Sequence, residues 1–320
     1  MHNILVSNVG FGEASPTSLG ILHNLGNVVL NEEKIRFREQ DFIKKIFDKN
    51  IVIAGTEKIT KSIINSAKNL KLIARVGAGI DNIDLDAAKE KNISICYTPD
   101  APSQAVPEFT IALMLNLLKG ISLSDRLMHQ NIWYRPMGKM LSSMAVGIIG
   151  AGKIGTKVIN LIKLVSPGSK VFYCDPYVEF IENATKCDIK ELFCNSDIVS
   201  VHLPLNSQTK GLITLDLLKL MKQGGYLVNT SRGGIVDEIA LCELLKNNYL
   251  NGAAIDVFDQ EPYQFGVLTE LNNCLLTSHI GSLTTEIRGL MEEQVTEDIL
   301  RFIKNQPLLR PLNGFNFTGN

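Results

Sequence analysis

The segment Ala145–Gly155, AVGIIGAGKIG, sets three glycines in GxGxxG spacing directly after a short apolar run, near the middle of a 320-residue chain. A strand that feeds a glycine turn and then a helix begins a mononucleotide-binding βαβ unit, so the mid-chain position predicts that another folded unit comes first. Gly150 permits the tight turn, Gly152 lets backbone amides approach a pyrophosphate, and Gly155 lets the helix close on the strand. Lys153 and Ile154 complete this fingerprint and open the helix. Lys170–Cys174, KVFYC, reads as the second strand and leads into Asp175, 20 residues past Gly155. An acid there accepts from both hydroxyls of an adenosine ribose and repels a 2′-phosphate, which predicts NAD rather than NADP.

Hydrophobic residues make up 45% of the chain and charged ones 20%, enough for two compact cores and unlike a disordered or coiled-coil chain. The net charge of −1, with no basic run, removes the electrostatic argument for nucleic acid or a membrane surface. Six cysteines (Cys96, Cys174, Cys187, Cys194, Cys242, Cys274) are scattered without a CxxC pair, most of them in apolar or helical stretches. They read as reduced thiols, which predicts a cytoplasmic location and no metal site. The amino terminus lacks a basic segment followed by an apolar stretch, and no apolar run approaches the ~18 residues of a membrane span.

Before residue 99, strands are expected at Ile4–Val6, Val28–Leu30, Ile51–Ile53, Leu72–Ala74 and Ile93–Cys96, alternating with helical stretches at Ser15–Leu25, Gln40–Phe47, Ile59–Ala67 and Leu85–Lys89. A long helix follows over Ser103–Leu118 with Pro107 in its first turn, then a shorter one over Ser122–His129. The alternation resumes after Gly155, with Thr214 and Asp237 placed as N-caps. Strand–helix alternation implies parallel sheets, so the expected fold class is α/β with two doubly wound sheets. Apolar residues at helical spacing from Leu283 to Ile303 could cross back to the first domain. The expected organisation is a discontinuous substrate-binding domain, 1–98 with 283–320, and a nucleotide-binding domain, 99–282, inserted in it.

Three later segments each end an apolar strand with polar residues of chemical use: LVNTSRGGIVDE (227–238), AAIDVFDQEP (253–262) and LLTSHIG (275–281). In open parallel sheets the carboxyl ends of strands border the ligand crevice, which gathers Arg232, Asp256, Glu261 and His279 by the pyrophosphate turn. Arginine offers a rigid, permanently charged fork to a carboxylate. Histidine suits proton transfer near neutral pH, and a glutamate partner orients it. The trio reads as anchor, orienter and acid/base for a small 2-hydroxy or 2-oxo acid.

These segments, with ARVGAGIDNIDLDAAKE (74–90), SVHLPL (200–205) and SHIGS (278–282), resemble the D-isomer-specific 2-hydroxyacid dehydrogenases, most of all the D-3-phosphoglycerate dehydrogenase branch. The resemblance implies a flavodoxin-like substrate domain, a Rossmann NAD-binding domain, and Arg232, Glu261 and His279 as the catalytic set. It implies a substrate carboxylate held by backbone amides at Val76, Gly77 and Ala78, in a loop that ends on Gly79, with Arg232 as a further ligand. On the cofactor side it implies Asp256 near the nicotinamide amide, Thr230 and Ser231 near the nicotinamide ribose, Pro204 and Thr209 toward the adenosine, and Thr110 facing the cofactor. His202 either lines the cofactor or is structural. A homodimer is a further implication, through the helical arm between Ser103 and Trp133.

Relatives usually carry glycine, lysine and threonine where this chain has Ser143, Met144 and Ala145, and a proline where it has Ser278. The segment PDAPSQAVPE (99–108) likewise replaces a small polar loop. At this length a short form without the branch's regulatory domain is expected. The substrate stays open between 3-phosphoglycerate and glyoxylate or hydroxypyruvate, with Arg75, Arg135 and Lys139 as either phosphate ligands or solvated charges. A competing class is an NADH-sensing, corepressor-like interaction protein.

Overall fold

The computed structural model describes residues 2–317. In chain order the elements begin with β1 (His2–Val6), α1 (Pro16–Leu25), β2 (Gly26–Val29), α2 (Glu39–Ile46), β3 (Ile51–Ala54), α3 (Lys61–Ser66), β4 (Leu72–Arg75), α4 (Leu85–Glu90) and β5 (Ser94–Tyr97). Two helices follow, α5 (Pro102–Lys119) and α6 (Ile121–His129), and then β6 (Ala145–Ile149), α7 (Lys153–Val165), β7 (Lys170–Cys174) and β8 (Thr185–Lys186). The remainder is α8 (Ile189–Asn195), β9 (Ile198–Val201), α9 (Leu215–Leu218), β10 (Gly225–Asn229), α10 (Glu238–Lys246), β11 (Leu250–Ile255), β12 (Cys274–Leu276) and α11 (Thr285–Ile303). The chain divides into two compact units, one running to Pro102 and resuming at Leu283, the other covering Ser103–Ser282.

The first unit holds five parallel strands in the order β2-β1-β3-β4-β5, the flavodoxin-like order, with its switch point between β1 and β3. Strands β3 and β4 are buried along their whole length, as parallel strands covered on both faces must be. Ser15, Thr60, Asp84 and Thr284 cap their helices with side-chain oxygens. Helix α11 returns to this unit by packing on α1, β4 and β5.

The second unit holds seven parallel strands in the order β12-β11-β10-β9-β6-β7-β8, a Rossmann arrangement extended at one edge. One sheet face buries Leu192, Phe193, Leu227 and Leu241, the other Met114, Ile148, Ile159 and Val228. Asp237 accepts from the amides of Ile239 and Ala240, whereas Thr214 occupies its N-cap position without a side-chain bond. The two-residue β8 has no period of its own in the sequence; it exists by pairing with β7.

Pro107 is not a first-turn residue. Helix α5 begins at Pro102, so Pro107 lies inside it, where its ring removes the amide that the Ser103 carbonyl would otherwise receive. No single helix among the described residues is long and apolar enough to cross a membrane.

Candidate active site

The dinucleotide turn meets each demand of its glycines. Gly150 has φ +87°, in the left-handed region, and a Cβ on it would overlap the His202 carbonyl. A Cβ on Gly155 would overlap the Gly150 carbonyl, so the helix closes on the turn only without one. Nothing lies within 4 Å of a Cβ built on Gly152, so the space in front of that residue is open. Gly152 is the N-cap of α7 with no side-chain cap, so this helix N-terminus suits an anion. The turn therefore fits a dinucleotide pyrophosphate.

Asp175 follows β7, and its carboxylate already serves the turn. Oδ2 accepts the Ala151 amide at 2.7 Å, while Oδ1 accepts Tyr177 at 2.8 Å and Val178 at 3.0 Å. The acid thus ties the second strand's end to the glycine turn.

The ends of β10, β11 and β12 are stitched together. Asp256 N–H donates to Asn229 O, Thr277 N–H to Ile255 O, and His279 N–H to Asp256 O at 2.8 Å. Asp256 is 1% exposed, and its carboxylate accepts Thr277 Oγ1 at 2.6 Å, Ile280 N–H at 2.9 Å and Gly281 N–H at 3.0 Å. These bonds pin a turn that holds His279 at φ +57°, a left-handed conformation uncommon for a side chain of that size. His279 Nδ1 lies 2.9 Å from Glu261 Oε2 and 3.1 Å from Oε1. A carboxylate only accepts, so Nδ1 carries a proton and Nε2 is the ring nitrogen left for proton exchange. Glu261 also accepts the Phe258 amide at 3.2 Å, which fixes it on the loop after β11.

Asn229 builds the arginine loop. Its Oδ1 accepts Ser231 N–H at 3.1 Å and Ser231 Oγ at 2.7 Å, and its Nδ2 donates to Arg232 O at 3.0 Å. Arg232 is half-buried and donates through Nη1 to Ser231 O at 2.7 Å. Neither Asn229 nor Thr277 stood out in the sequence, although an asparagine two residues before a serine is the pattern of an Asx turn.

The structure corrects Thr110 and shows what Thr209 and His202 bond within the chain. Thr110 is fully buried, donates to Val106 O at 2.8 Å and meets Thr230 Oγ1 at 3.0 Å; it buttresses Thr230 and has no surface for a cofactor. Thr209 Oγ1 donates to Pro204 O at 2.6 Å and accepts Asn206 N–H at 2.9 Å, so the hydroxyl closes the turn that starts at the exposed Pro204. His202 Nε2 meets Ser200 Oγ at 2.9 Å, its Nδ1 is buried without a partner, and burial pushes its pKa down to about 3. The ring is neutral, and the residue as a whole stays partly exposed.

In the first unit, the amides of Val76 and Gly77 are spent internally, on Ala54 O at 2.9 Å and Thr98 Oγ1 at 2.8 Å. Carboxylate donors in that loop narrow to Ala78 and Gly79, which are partly exposed. Arg75 is 5% exposed, so it is no solvated charge, whereas Arg135 and Lys139 are exposed.

The strand order and the glycine turn together define a nucleotide-binding Rossmann unit in a chain whose other unit is flavodoxin-like. The chain belongs to the D-isomer specific 2-hydroxyacid dehydrogenase family, whose NAD-binding domain matches residues 111–281. It is 34% identical over 298 residues to the D-3-phosphoglycerate dehydrogenase of Methanocaldococcus jannaschii, covering 90% of this chain and 56% of that protein. Against the glyoxylate reductase of Thermofilum pendens it is 33% identical over 302 residues, covering 90% of this chain and 88% of that one. A protein of solved structure from Thermus thermophilus superposes with a TM-score of 0.87 at 28% identity, over 97% of this chain and 99% of that chain. The chain spans little more than half the length of the phosphoglycerate dehydrogenases it matches.

Proposed function

We propose that this protein is an NAD-dependent dehydrogenase that interconverts a small D-2-hydroxy acid and its 2-oxo acid, with residues Ser103–Ser282 binding the nucleotide and the other unit serving the substrate. The observation that carries the reading is the His279–Glu261 pair at 2.9 Å, held on the pinned turn beyond β12. A nicotinamide held by this unit would supply or accept the hydride at C2. In reduction, His279 donates its proton at Nε2 to the carbonyl oxygen; in oxidation it removes the hydroxyl proton from the same atom. Glu261 orients the ring through Nδ1 and stabilises it when charged. Arg232 binds the substrate carboxylate and offsets charge on the carbonyl oxygen. In the first unit, Ala78 and Gly79 carry amides suited to a substrate carboxylate. The glycine turn, Asp175, Thr230 and Ser231 serve the dinucleotide, and Asp256 acts by holding the His279 turn.

Glyoxylate and hydroxypyruvate, rather than 3-phosphohydroxypyruvate, are the favoured substrates, because Arg75 is turned inward as a structural group. A panel of these acids, followed by NADH oxidation, tests both the reaction and the ranking. Turnover of none, with NADH still bound, favours the sensing class instead. Asp175→Ala is expected to weaken NADH and raise the NADPH:NADH ratio of kcat/KM by about tenfold or more, since one repelled or paired charge is worth roughly 1–2 kcal/mol here. An unchanged ratio would remove Asp175 from cofactor selection.

A cytoplasmic homodimer completes the proposal. The arm that follows α5 exposes Ile132, Trp133, Tyr134, Met137 and Met140, Trp133 at 80%, which is apolar surface of the kind a second copy covers. Light scattering on the intact chain decides this, a monomer mass being the contrary result.

A further inference from the structure

The loop after β4 has an unusual hydrogen-bond economy. Val76 N–H donates to Ala54 O, and Val76 O accepts from Arg75 Nη1. Gly77 N–H donates to Thr98 Oγ1, and Gly77 O accepts Thr98 N–H at 3.1 Å. Every backbone polar group of these two residues is therefore spent inside the unit, and among the described residues no such bond claims the amides of Ala78 and Gly79. The loop is a fixed base carrying two open donors.

Arg75 is the part of that base contributed by a charged side chain. It is 5% exposed, it lies beneath Gly77, where a Cβ would come within 2.5 Å of Nη1, and Gly77 has φ +144°. Its Nε donates to Asn82 Oδ1 at 3.4 Å, and Asn82 Nδ2 donates in turn to Gly55 O at 3.1 Å and Glu57 O at 2.7 Å. The chain of bonds ties the loop after β4 to the loop after β3. Glu57, 4% exposed, anchors the second loop by accepting Gly55 N–H at 2.9 Å and the Ser7 hydroxyl. A long, rigid, permanently charged fork suits this node, because one planar group must serve a carbonyl and an amide oxygen at once.

We propose that Arg75 is a positioning residue for the substrate carboxylate: from beneath the loop, its guanidinium holds Val76 and, through Asn82, the strand-end loops, so that the Ala78 and Gly79 amides stay aimed at the ligand. This rests on the assignment of Ala78 and Gly79 as carboxylate donors. Arg75 touches no substrate atom, and its buried positive charge adds a field favourable to an anion above it.

The test compares wild type, Arg75→Met and Arg75→Lys for glyoxylate and 3-phosphohydroxypyruvate kinetics, NADH affinity by fluorescence, and hydrogen exchange in the segment 76–82. Methionine keeps the length and apolar stem but loses the donors. Arg75→Met is expected to raise KM about tenfold for both acids, to leave kcat and the NADH Kd within about threefold, and to speed exchange at Val76 and Gly77, the hydrogen-bonded amides at the base of the loop. Arg75→Lys should recover part of the KM, since an ammonium can still reach one carbonyl. An unchanged KM with unchanged exchange overturns the proposal. A KM rise confined to the phosphorylated acid overturns it too, by making Arg75 a phosphate ligand. If wild type reduces neither acid, the dehydrogenase reading fails, while the exchange comparison still decides whether Arg75 holds the loop.

Discussion

His279→Ala is expected to lower kcat about 10³-fold while NADH affinity stays within about threefold, the scale on which a positioned acid/base contributes. The expectation follows from how the ring is held rather than from its residue type. Nδ1 is committed to Glu261 at 2.9 Å, so Nε2 is the nitrogen presented for proton transfer. The ring's backbone is fixed independently, through His279 N–H to Asp256 O at 2.8 Å, so removing the ring leaves the turn in place. Steady-state kinetics with the best acid of the panel, beside NADH fluorescence titration, reads both numbers. Turnover near wild type in a variant that binds NADH would exclude His279 as the proton donor. Glu261→Gln should fall between the two, because glutamine can still accept from Nδ1–H but cannot offset charge on the ring.

The sequence carried the fold well because its signals are local. Apolar runs bounded by turn and capping residues place β1 to β5 and β7 within a residue or two of the observed strands. The edge strand β8 escaped because two residues, Thr185 and Lys186, hold no period and acquire theirs from β7. Pro107 misled because proline sits well in a first turn, yet the helix had already begun at Pro102. At the site, residue types pointed to Arg232, Glu261 and His279, and the geometry joins two of them directly. What the sequence could not carry is which polar groups are already spent. Thr110 looks like a ligand in one dimension and turns out to be fully buried and bonded to Val106 and Thr230. The amides of Val76 and Gly77 were equally plausible donors until Ala54 and Thr98 took them. Conversely, Thr277 carries no signal in one dimension and Asn229 only that of an Asx turn, although one completes the cage around Asp256 and the other shapes the Arg232 loop.

Asp256→Ala is expected to reduce kcat about 10²-fold and to destabilise the Ser103–Ser282 unit by about 3 kcal/mol, two effects with one origin. The carboxylate, 1% exposed, satisfies Thr277 Oγ1 and the amides of Ile280 and Gly281. Alanine strands all three donors in a place that water reaches poorly, at roughly 1–3 kcal/mol for each one left unpaired. The turn they hold then relaxes toward ordinary backbone angles, and the His279 ring leaves Glu261. Asp256→Asn separates the contributions, because the amide keeps the volume and one acceptor but aims an NH₂ at an N–H donor. It should lose less stability than alanine and still lose most of the turnover. A residue acting through the turn moves kcat and the melting temperature while the NADH Kd holds; one acting by touching the nicotinamide moves the NADH Kd first. Calorimetry and NADH titration on both variants distinguish these outcomes. A weakened NADH Kd with an undisturbed melting temperature would return Asp256 to the cofactor and leave the pinned turn without its organiser.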